Sequence, residues 1–257
     1  MGNAFRQLFD LTGKAAIITG ASKGIGEAVA RGLAAFGAKV VVSSRKQEAV
    51  EAVAKSIQAE GGEALAVAAH MGDASAINNL AAAAKGHFGG VDIIVNNAAA
   101  NPVFGPLLSV NEEALAKIMQ VNVWGPLALA REAYPLMKAR GGGSVINISS
   151  IGGLRPEPML GLYSASKAAL INLSQTMARE WGADGIRVNV ICPGLIQTKF
   201  SAALWQDEAN LKRFLQTVPL GRIGRPEDVV GIAIYLASAA SAYCTGAVFT
   251  VDGGHVV

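Results

Sequence analysis

Tyr163 and Lys167 stand four residues apart in Tyr163-Ser164-Ala165-Ser166-Lys167, inside an alanine-rich stretch that reads as a helix. Residues i and i+4 share one helix face, so the ammonium can act on the phenol. A free tyrosine has a pKa of about 10 and is a poor base at neutral pH. A neighbouring positive charge favours the phenolate, and Tyr163 then exchanges a proton with a substrate oxygen. Such a pair is common on solvated helices, so its meaning depends on its surroundings. Ser150 precedes Tyr163 by thirteen residues and leaves the run Ser144 to Ser149. From there it can donate a hydrogen bond to a carbonyl oxygen as charge builds on it. Asn122, in Val121-Asn122-Val123-Trp124-Gly125, is a poor helix former in an apolar run. It can anchor a water near Lys167 or cap a local kink.

A second chemical feature follows the first strand-like run. Thr19-Gly20-Ala21-Ser22-Lys23-Gly24-Ile25-Gly26 leads directly into a helical stretch. Glycines let the backbone turn tightly and approach a pyrophosphate, and the helix N-terminus offers it unpaired N–H groups and partial positive charge. The spacing Gly-x-x-x-Gly-x-Gly has one more residue between its first two glycines than the general dinucleotide fingerprint. A dinucleotide carrying nicotinamide would add the positive charge that Tyr163 needs when oxidised.

The end of the second strand decides which dinucleotide is expected. An acid there hydrogen-bonds both ribose hydroxyls and repels a 2′-phosphate. This chain reads Val42-Ser43-Ser44-Arg45-Lys46, with neutral Ser44 in that place and Arg45 after it. A guanidinium clamps a phosphate and a serine hydroxyl donates to it. Lys23 adds charge from the glycine turn, so the expectation is NADP(H).

The elements that must position these groups alternate along the chain. Strands are predicted at Ala15 to Thr19, Lys39 to Ser43, Ala64 to Ala68, Val91 to Val95, Ser144 to Ser149, Arg187 to Ile191 and Ala247 to Val251. Helices are predicted at Gly26 to Phe36, Gln47 to Glu60, Ala74 to Phe88, Glu112 to Lys138, Tyr163 to Trp181 and Pro226 to Ala237. Strand then helix, repeated, implies an α/β fold: a Rossmann-like, doubly wound parallel sheet of about seven strands with helices on both faces. A single domain over residues 1–257 is expected. Residues 195–218, with Phe200, Leu204, Trp205 and Phe214, break the rhythm and read as a substrate lid.

Composition narrows the function classes. The chain is 51% hydrophobic with net charge +3, and its basic residues are dispersed, which argues against nucleic acid. The apolar region Val229 to Val248 is broken by Ser238, Ser241, Thr245 and Gly246, so it reads as a buried helix and loop and not as a membrane span. Cys192 and Cys244 are far apart and lack a ligand pattern, which suits a reducing compartment. His87 and His255 have no carboxylate or cysteine partner at ligand spacing, so no metal is expected.

TGASKGIG at 19–26, NNAA at 96–99, Asn122, Ser150, YSASK at 163–167 and Pro193-Gly194 together resemble the short-chain dehydrogenase/reductase family over nearly the whole chain. The resemblance implies a catalytic tetrad of Asn122, Ser150, Tyr163 and Lys167, with Lys167 also bonding the nicotinamide ribose and relaying protons through water held at Asn122. It implies cofactor contacts from Gly20, Ser22, Lys23, Gly24, Ile25, Gly26, Asn97 and Ala98, and from Pro193, Gly194, Ile196 and Thr198. His70 stands where most members carry an adenine-touching aspartate, so adenine contacts at His70 and Met71 are expected through the backbone. Ala99 replaces the usual glycine of NNAG. Segments 43–47, 97–105 and 194–198 are similar to an NADP-dependent carbonyl and retinal reductase subgroup. The chain ends Gly254-His255-Val256-Val257 without the peroxisomal tripeptide of that subgroup's animal members, so a cytoplasmic enzyme is expected. The family implies a homo-oligomer, a tetramer before a dimer.

The expected activity is hydride transfer between nicotinamide and a small-molecule carbonyl or alcohol. Leu154, Met159 and Leu160, with the apolar residues of 195–218, suit an apolar ketone or aldehyde. The alternatives are reduction of 3-oxoacyl thioesters, and a non-catalytic NADP-binding protein of the same fold.

Overall fold

A computed structural model describes residues 2–256, apart from the side chains of Gly2, Asn3 and Asn210. Seven strands, β1 (Ala15–Thr19), β2 (Lys39–Ser44), β3 (Glu63–Ala68), β4 (Ile93–Asn96), β5 (Gly143–Ile148), β6 (Ile186–Pro193) and β7 (Val248–Val251), form one parallel sheet in the order β3-β2-β1-β4-β5-β6-β7. The sequence placed every one of them within two residues of these bounds.

β1 shows why the sheet is wrapped on both faces. Ala16 and Ile18 point into one apolar cluster, shared with α2 (Gly24–Ala35), α3 (Gln47–Ala59) and α10 (Val230–Ala237). Ile17, one residue out of phase, points into the other, shared with α4 (Ala74–Phe88), α6 (Gly125–Ala139) and α7 (Gly161–Trp181). Period-2 alternation with both sets apolar leaves no face for water. Among the described residues the remaining helices are α1 (Gly2–Gln7), α5 (Glu112–Met119), α8 (Ala202–Trp205) and α9 (Glu208–Leu215), besides short 3₁₀ turns.

The chain order reverses between β1 and β4, which are neighbours in the sheet. In open α/β sheets the crevice beyond the C-terminal strand ends at such a switch point is where ligands bind. The glycine turn leaves β1 there and Asn97 leaves β4 there.

One expectation is corrected. The predicted continuous helix from Glu112 to Lys138 is broken by a π-turn at Gln120–Trp124, where Gly125 N–H donates to Gln120 O. Asn122 occupies the middle of that turn, so its low helix propensity marks a real irregularity between α5 and α6. The apolar region 229–248 holds α10, a 3₁₀ turn and the entry to β7. No helix of the described residues is long and apolar enough to cross a membrane.

Candidate active site

The cofactor turn is braced from β4. Thr19 Oγ1 accepts the N–H groups of Asn97 and Ala98, each at 3.1 Å, and Asn97 Nδ2 donates to Thr19 O at 3.0 Å and Gly20 O at 3.1 Å. Gly20 has φ +65, and a Cβ at Gly26 would lie 2.5 Å from both Gly20 O and Asn97 Nδ2. These two glycines are therefore demanded by backbone shape and by close approach. Lys23 precedes α2 with no side-chain cap, so the first N–H groups of that helix remain open to an anion. Thr198 closes over the same turn, its Cγ2 lying 3.1 Å from the Cβ position of Gly24. Ser22 is half-buried in the turn, and Ile25 packs on the core beneath it.

Ser44 ends β2 half-buried and Arg45 follows it exposed. Among the described residues neither Arg45 nor Lys23 has an ion-pair partner, which leaves both charges available to a phosphate. His70 is exposed, and its Nδ1 accepts Gly72 N–H at 3.0 Å. The Met71 side chain is 4% exposed and belongs to the core, while its carbonyl oxygen would lie 2.4 Å from a Cβ at Gly125. Ile196 is likewise core. For both residues only the backbone is left to meet a ligand.

The four proposed chemical residues stand just past β5 (Ser150), on α7 (Tyr163 and Lys167) and in the π-turn (Asn122). The Ser150 hydroxyl lies within hydrogen-bonding reach of the Tyr163 phenol. Ser150 Oγ also accepts Gly152 N–H at 3.1 Å, which anchors the oxygen and leaves its own hydrogen free to donate. Lys167 is buried and its Nζ donates to Ile148 O at 2.8 Å, 5.6 Å from the centre of the Tyr163 ring. Two of its three N–H groups remain. Asn122 is fully buried, with Nδ2 donating to Ala100 O and Ser166 Oγ, both at 3.0 Å, and Oδ1 accepting Ala100 N–H at 2.8 Å. Ser166 Oγ in turn donates to Tyr163 O. The Asn122 side chain thus ties the 97–105 loop to α7, and its link to Tyr163 runs through Ser166.

Burial dominates the acidities of these groups. Burial pushes the Tyr163 phenol up to about 12, against the hydrogen bond from Ser150. Burial pushes the Lys167 ammonium down to about 8, and the neighbouring Cys192 thiol up to about 11. The side chains alone therefore do not lower the phenol. Lys167 is turned toward Ile148, and desolvation is the largest influence on Tyr163, with the Cys192 thiol acting in the same direction.

Several apolar side chains expected to meet substrate lie near Tyr163 or on the surface. Phe200 lies with its ring centre 6.0 Å from that of Tyr163, and Trp205 Nε1 donates to Thr198 O at 3.2 Å. Leu154 and Met159, in the segment before α7, are exposed. Met159 has φ +68, a left-handed conformation held by Gly105 N–H donating to its carbonyl at 3.0 Å. Pro193 ends β6, and Gly194 is pressed on Asp252, whose Cα would be 2.8 Å from an added Cβ. His87 is exposed, and no cluster of metal-ligating side chains occurs among the described residues. Sequence reasoning missed Thr19 Oγ1, Ser166 and the Ile148 carbonyl as parts of this site. The hydroxyls had a weak signal, since each sits inside a singled-out motif; the carbonyl had none.

The chain matches the family model described as enoyl-(acyl carrier protein) reductase over residues 20–255. It is 43% identical over 244 residues to dehydrogenase/reductase SDR family member 4 of Oryctolagus cuniculus, covering 95% of this chain and 94% of that one. The chain belongs to the short-chain dehydrogenase/reductase family. Its sheet and crevice are those of a short-chain dehydrogenase/reductase, an oxidoreductase family that binds a nicotinamide cofactor. The gluconate 5-dehydrogenase of Burkholderia cenocepacia J2315, in complex with NADP and tartrate, superposes with TM-score 0.93 at 33% identity over 97% of each chain. The NADP-bound 3-oxoacyl (acyl-carrier-protein) reductase of Agrobacterium tumefaciens C58 does so with TM-score 0.90 at 37% identity over 96% of each.

Proposed function

We propose that this short-chain dehydrogenase/reductase is NADP(H)-dependent and reduces an apolar ketone or aldehyde, or oxidises the matching alcohol, with Tyr163 as acid/base. The observation that carries this reading is Tyr163 itself, buried, with the Ser150 hydroxyl within reach of its phenol, Phe200 6.0 Å away ring to ring and the Lys167 ammonium 5.6 Å from its ring centre. The residues fit the cofactor: the N-terminus of α2 carries no side-chain cap and so offers its first N–H groups to a pyrophosphate, and Arg45, Lys23 and Ser44 suit a 2′-phosphate. Bound there, the nicotinamide supplies or takes up the hydride.

The chain's own groups handle the oxygen and the proton. Ser150, its oxygen held by Gly152 N–H, donates to the substrate carbonyl oxygen. Tyr163 gives its phenolic proton to that oxygen during reduction and takes it back during oxidation. The Lys167 charge stabilises the phenolate that remains, and the two N–H groups not used by Ile148 are open to the ribose. Asn122 keeps the 97–105 loop and α7 in register. Residues 195–218 act as the lid, with Phe200, Leu204, Trp205 and Phe214 supplying apolar surface.

Reduction of 3-oxoacyl thioesters is the second reading, favoured by the family model's description and by the Agrobacterium reductase. A screen of NADPH consumption over diketones, aromatic ketones, retinal, steroids and acetoacetyl-CoA, repeated with NADH, separates the two. Activity on acetoacetyl-CoA above that on every ketone favours the thioester reading. Tyr163→Phe is expected to lower kcat by about a hundredfold or more while NADPH still binds. Unchanged turnover in that variant overturns the role given to Tyr163. We also infer a homo-oligomer, tetramer before dimer, which sedimentation tests. Free Cys192 and Cys244 suit the cytoplasm.

A further inference from the structure

The chain past β7 is wound into a tight turn by one carboxylate. Asp252 accepts Gly254 N–H on Oδ1 at 3.0 Å and Val256 N–H on Oδ2 at 2.9 Å, and Gly253 and Gly254 have φ of +68 and +89. This turn is fastened to residues 218–220. Leu220 N–H donates to Gly253 O at 3.1 Å, and added Cβ atoms at Gly253 and Gly254 would meet Val218 and Pro219 at 2.8 and 2.9 Å.

The turn aims His255 at two walls of the substrate side. On one wall, His255 Nδ1 is 2.9 Å from Thr217 Oγ1 and its ring centre is 4.8 Å from that of Phe214, the aromatic residue of α9. Thr217 has a single hydroxyl hydrogen, committed to Phe214 O at 2.7 Å, so the hydrogen of the His255 bond belongs to Nδ1. On the other wall, His255 Nε2 is 4.0 Å from Glu157 Oε1, a charge contact made when the imidazole carries both protons. Glu157 lies between Ser150 and Tyr163, and its N–H donates to Ser164 Oγ at 3.4 Å, one residue from the phenol-bearing Tyr163.

The apolar side chains of α9 hold it only lightly. None of its described side chains is fully buried, so little apolar area holds it to the rest of the molecule. We propose that His255 is a positioning residue for substrate: it clasps α9 to the 154–160 segment and so sets how far residues 195–218 close over Tyr163. The contacts of His255 are with Phe214, Thr217 and Glu157, and it acts through them. The proposal rests on the reading of 195–218 as a lid.

His255→Ala, His255→Asn and Thr217→Val in the full chain test it, with two readouts. Kinetics with a diketone and with acetoacetyl-CoA should show, for His255→Ala and Thr217→Val, KM for the carbonyl substrate raised about tenfold with kcat within about twofold and KM for NADPH unchanged. His255→Asn keeps an N–H donor toward Thr217 and should recover most of the loss. Limited trypsin cleavage after Lys199 and Lys212 should be several-fold faster in His255→Ala at an unchanged midpoint of thermal unfolding. This second readout needs no turnover, so it judges the clasp even if the oxidoreductase reading fails, and Tyr163→Phe should lose activity while cleaving at the wild-type rate. KM and cleavage both unmoved overturn the proposal. So does a fall in kcat matched by weaker NADPH binding, which marks general damage.

Discussion

Lys167 directs its ammonium at the carbonyl oxygen of Ile148, 2.8 Å away, while the centre of the Tyr163 ring lies 5.6 Å from the same nitrogen. The end of β5 thereby holds the group that α7 presents, and both partners of the YxxxK pair are displaced from their ordinary acidities by burial.

That displacement makes a pH prediction. Burial takes Lys167 from 10.5 to about 8, so between those pH values the unfolded chain binds the extra proton. Stability from this residue therefore rises with pH across the interval and is lost as pH falls through about 8. The interval corresponds to at most about 3 kcal/mol, less whatever the Ile148 bond returns to the charged form. Urea unfolding of Lys167→Met and wild type at pH 7.5 and pH 10 checks it. The variant should gain relative to wild type at the lower pH, and the gap should narrow by 10. The raised values of Cys192 and Tyr163 act in the opposite sense, and Cys192 loses the neighbouring Lys167 charge in the variant, so Lys167→Met with Cys192→Ser is the companion comparison.

Arg45 should decide the cofactor. It is exposed, follows the half-buried Ser44 and has no ion-pair partner among the described residues. Losing a charge-assisted hydrogen bond to a phosphate costs about 1.5–3 kcal/mol, or roughly 10- to 100-fold. Arg45→Ala should raise KM for NADPH by that factor and leave KM for NADH nearly unchanged, as steady-state kinetics with both cofactors will reveal. Equal effects on the two would sink the assignment.

Asn122→Ala should destabilise the chain by about 2–3 kcal/mol, because it strands the Ala100 N–H and carbonyl that the amide now satisfies. Asn122→Asp should not rescue it. A carboxylate still accepts Ala100 N–H, yet it faces Ala100 O with no hydrogen to give. Denaturant midpoints for the two variants and wild type provide the comparison.

Gly26→Ala should destabilise by about 1–3 kcal/mol and weaken NADPH binding at least tenfold, since its methyl group would sit 2.5 Å from Gly20 O and Asn97 Nδ2. Gly86, in α4 with nothing within 4 Å of its Cβ position, is the control. Gly86→Ala should stabilise by about 0.5–1 kcal/mol through helix propensity alone. Thermal melts and a cofactor fluorescence titration read both.

The sequence by itself determined the strands, most of the helices and the glycine turn, and it singled out Ser150, Tyr163 and Lys167 by their spacing. Those features are local: strand alternation, i,i+4 spacing and glycine placement are all decided within a few neighbours. Even the break at Asn122 left a trace, as a polar residue in an apolar helical run.

Only the tertiary structure decided the direction of the Tyr163 and Lys167 shifts, because burial depends on what the rest of the chain lays over α7. It alone turned Met71 and Ile196 into core residues, joined Asn122 to Ser166 across 44 positions, and made His255, an unremarkable histidine in sequence, the neighbour of Thr217, Phe214 and Glu157. Contacts between distant segments arise from how helices seat on the sheet, and no short-range pattern encodes them.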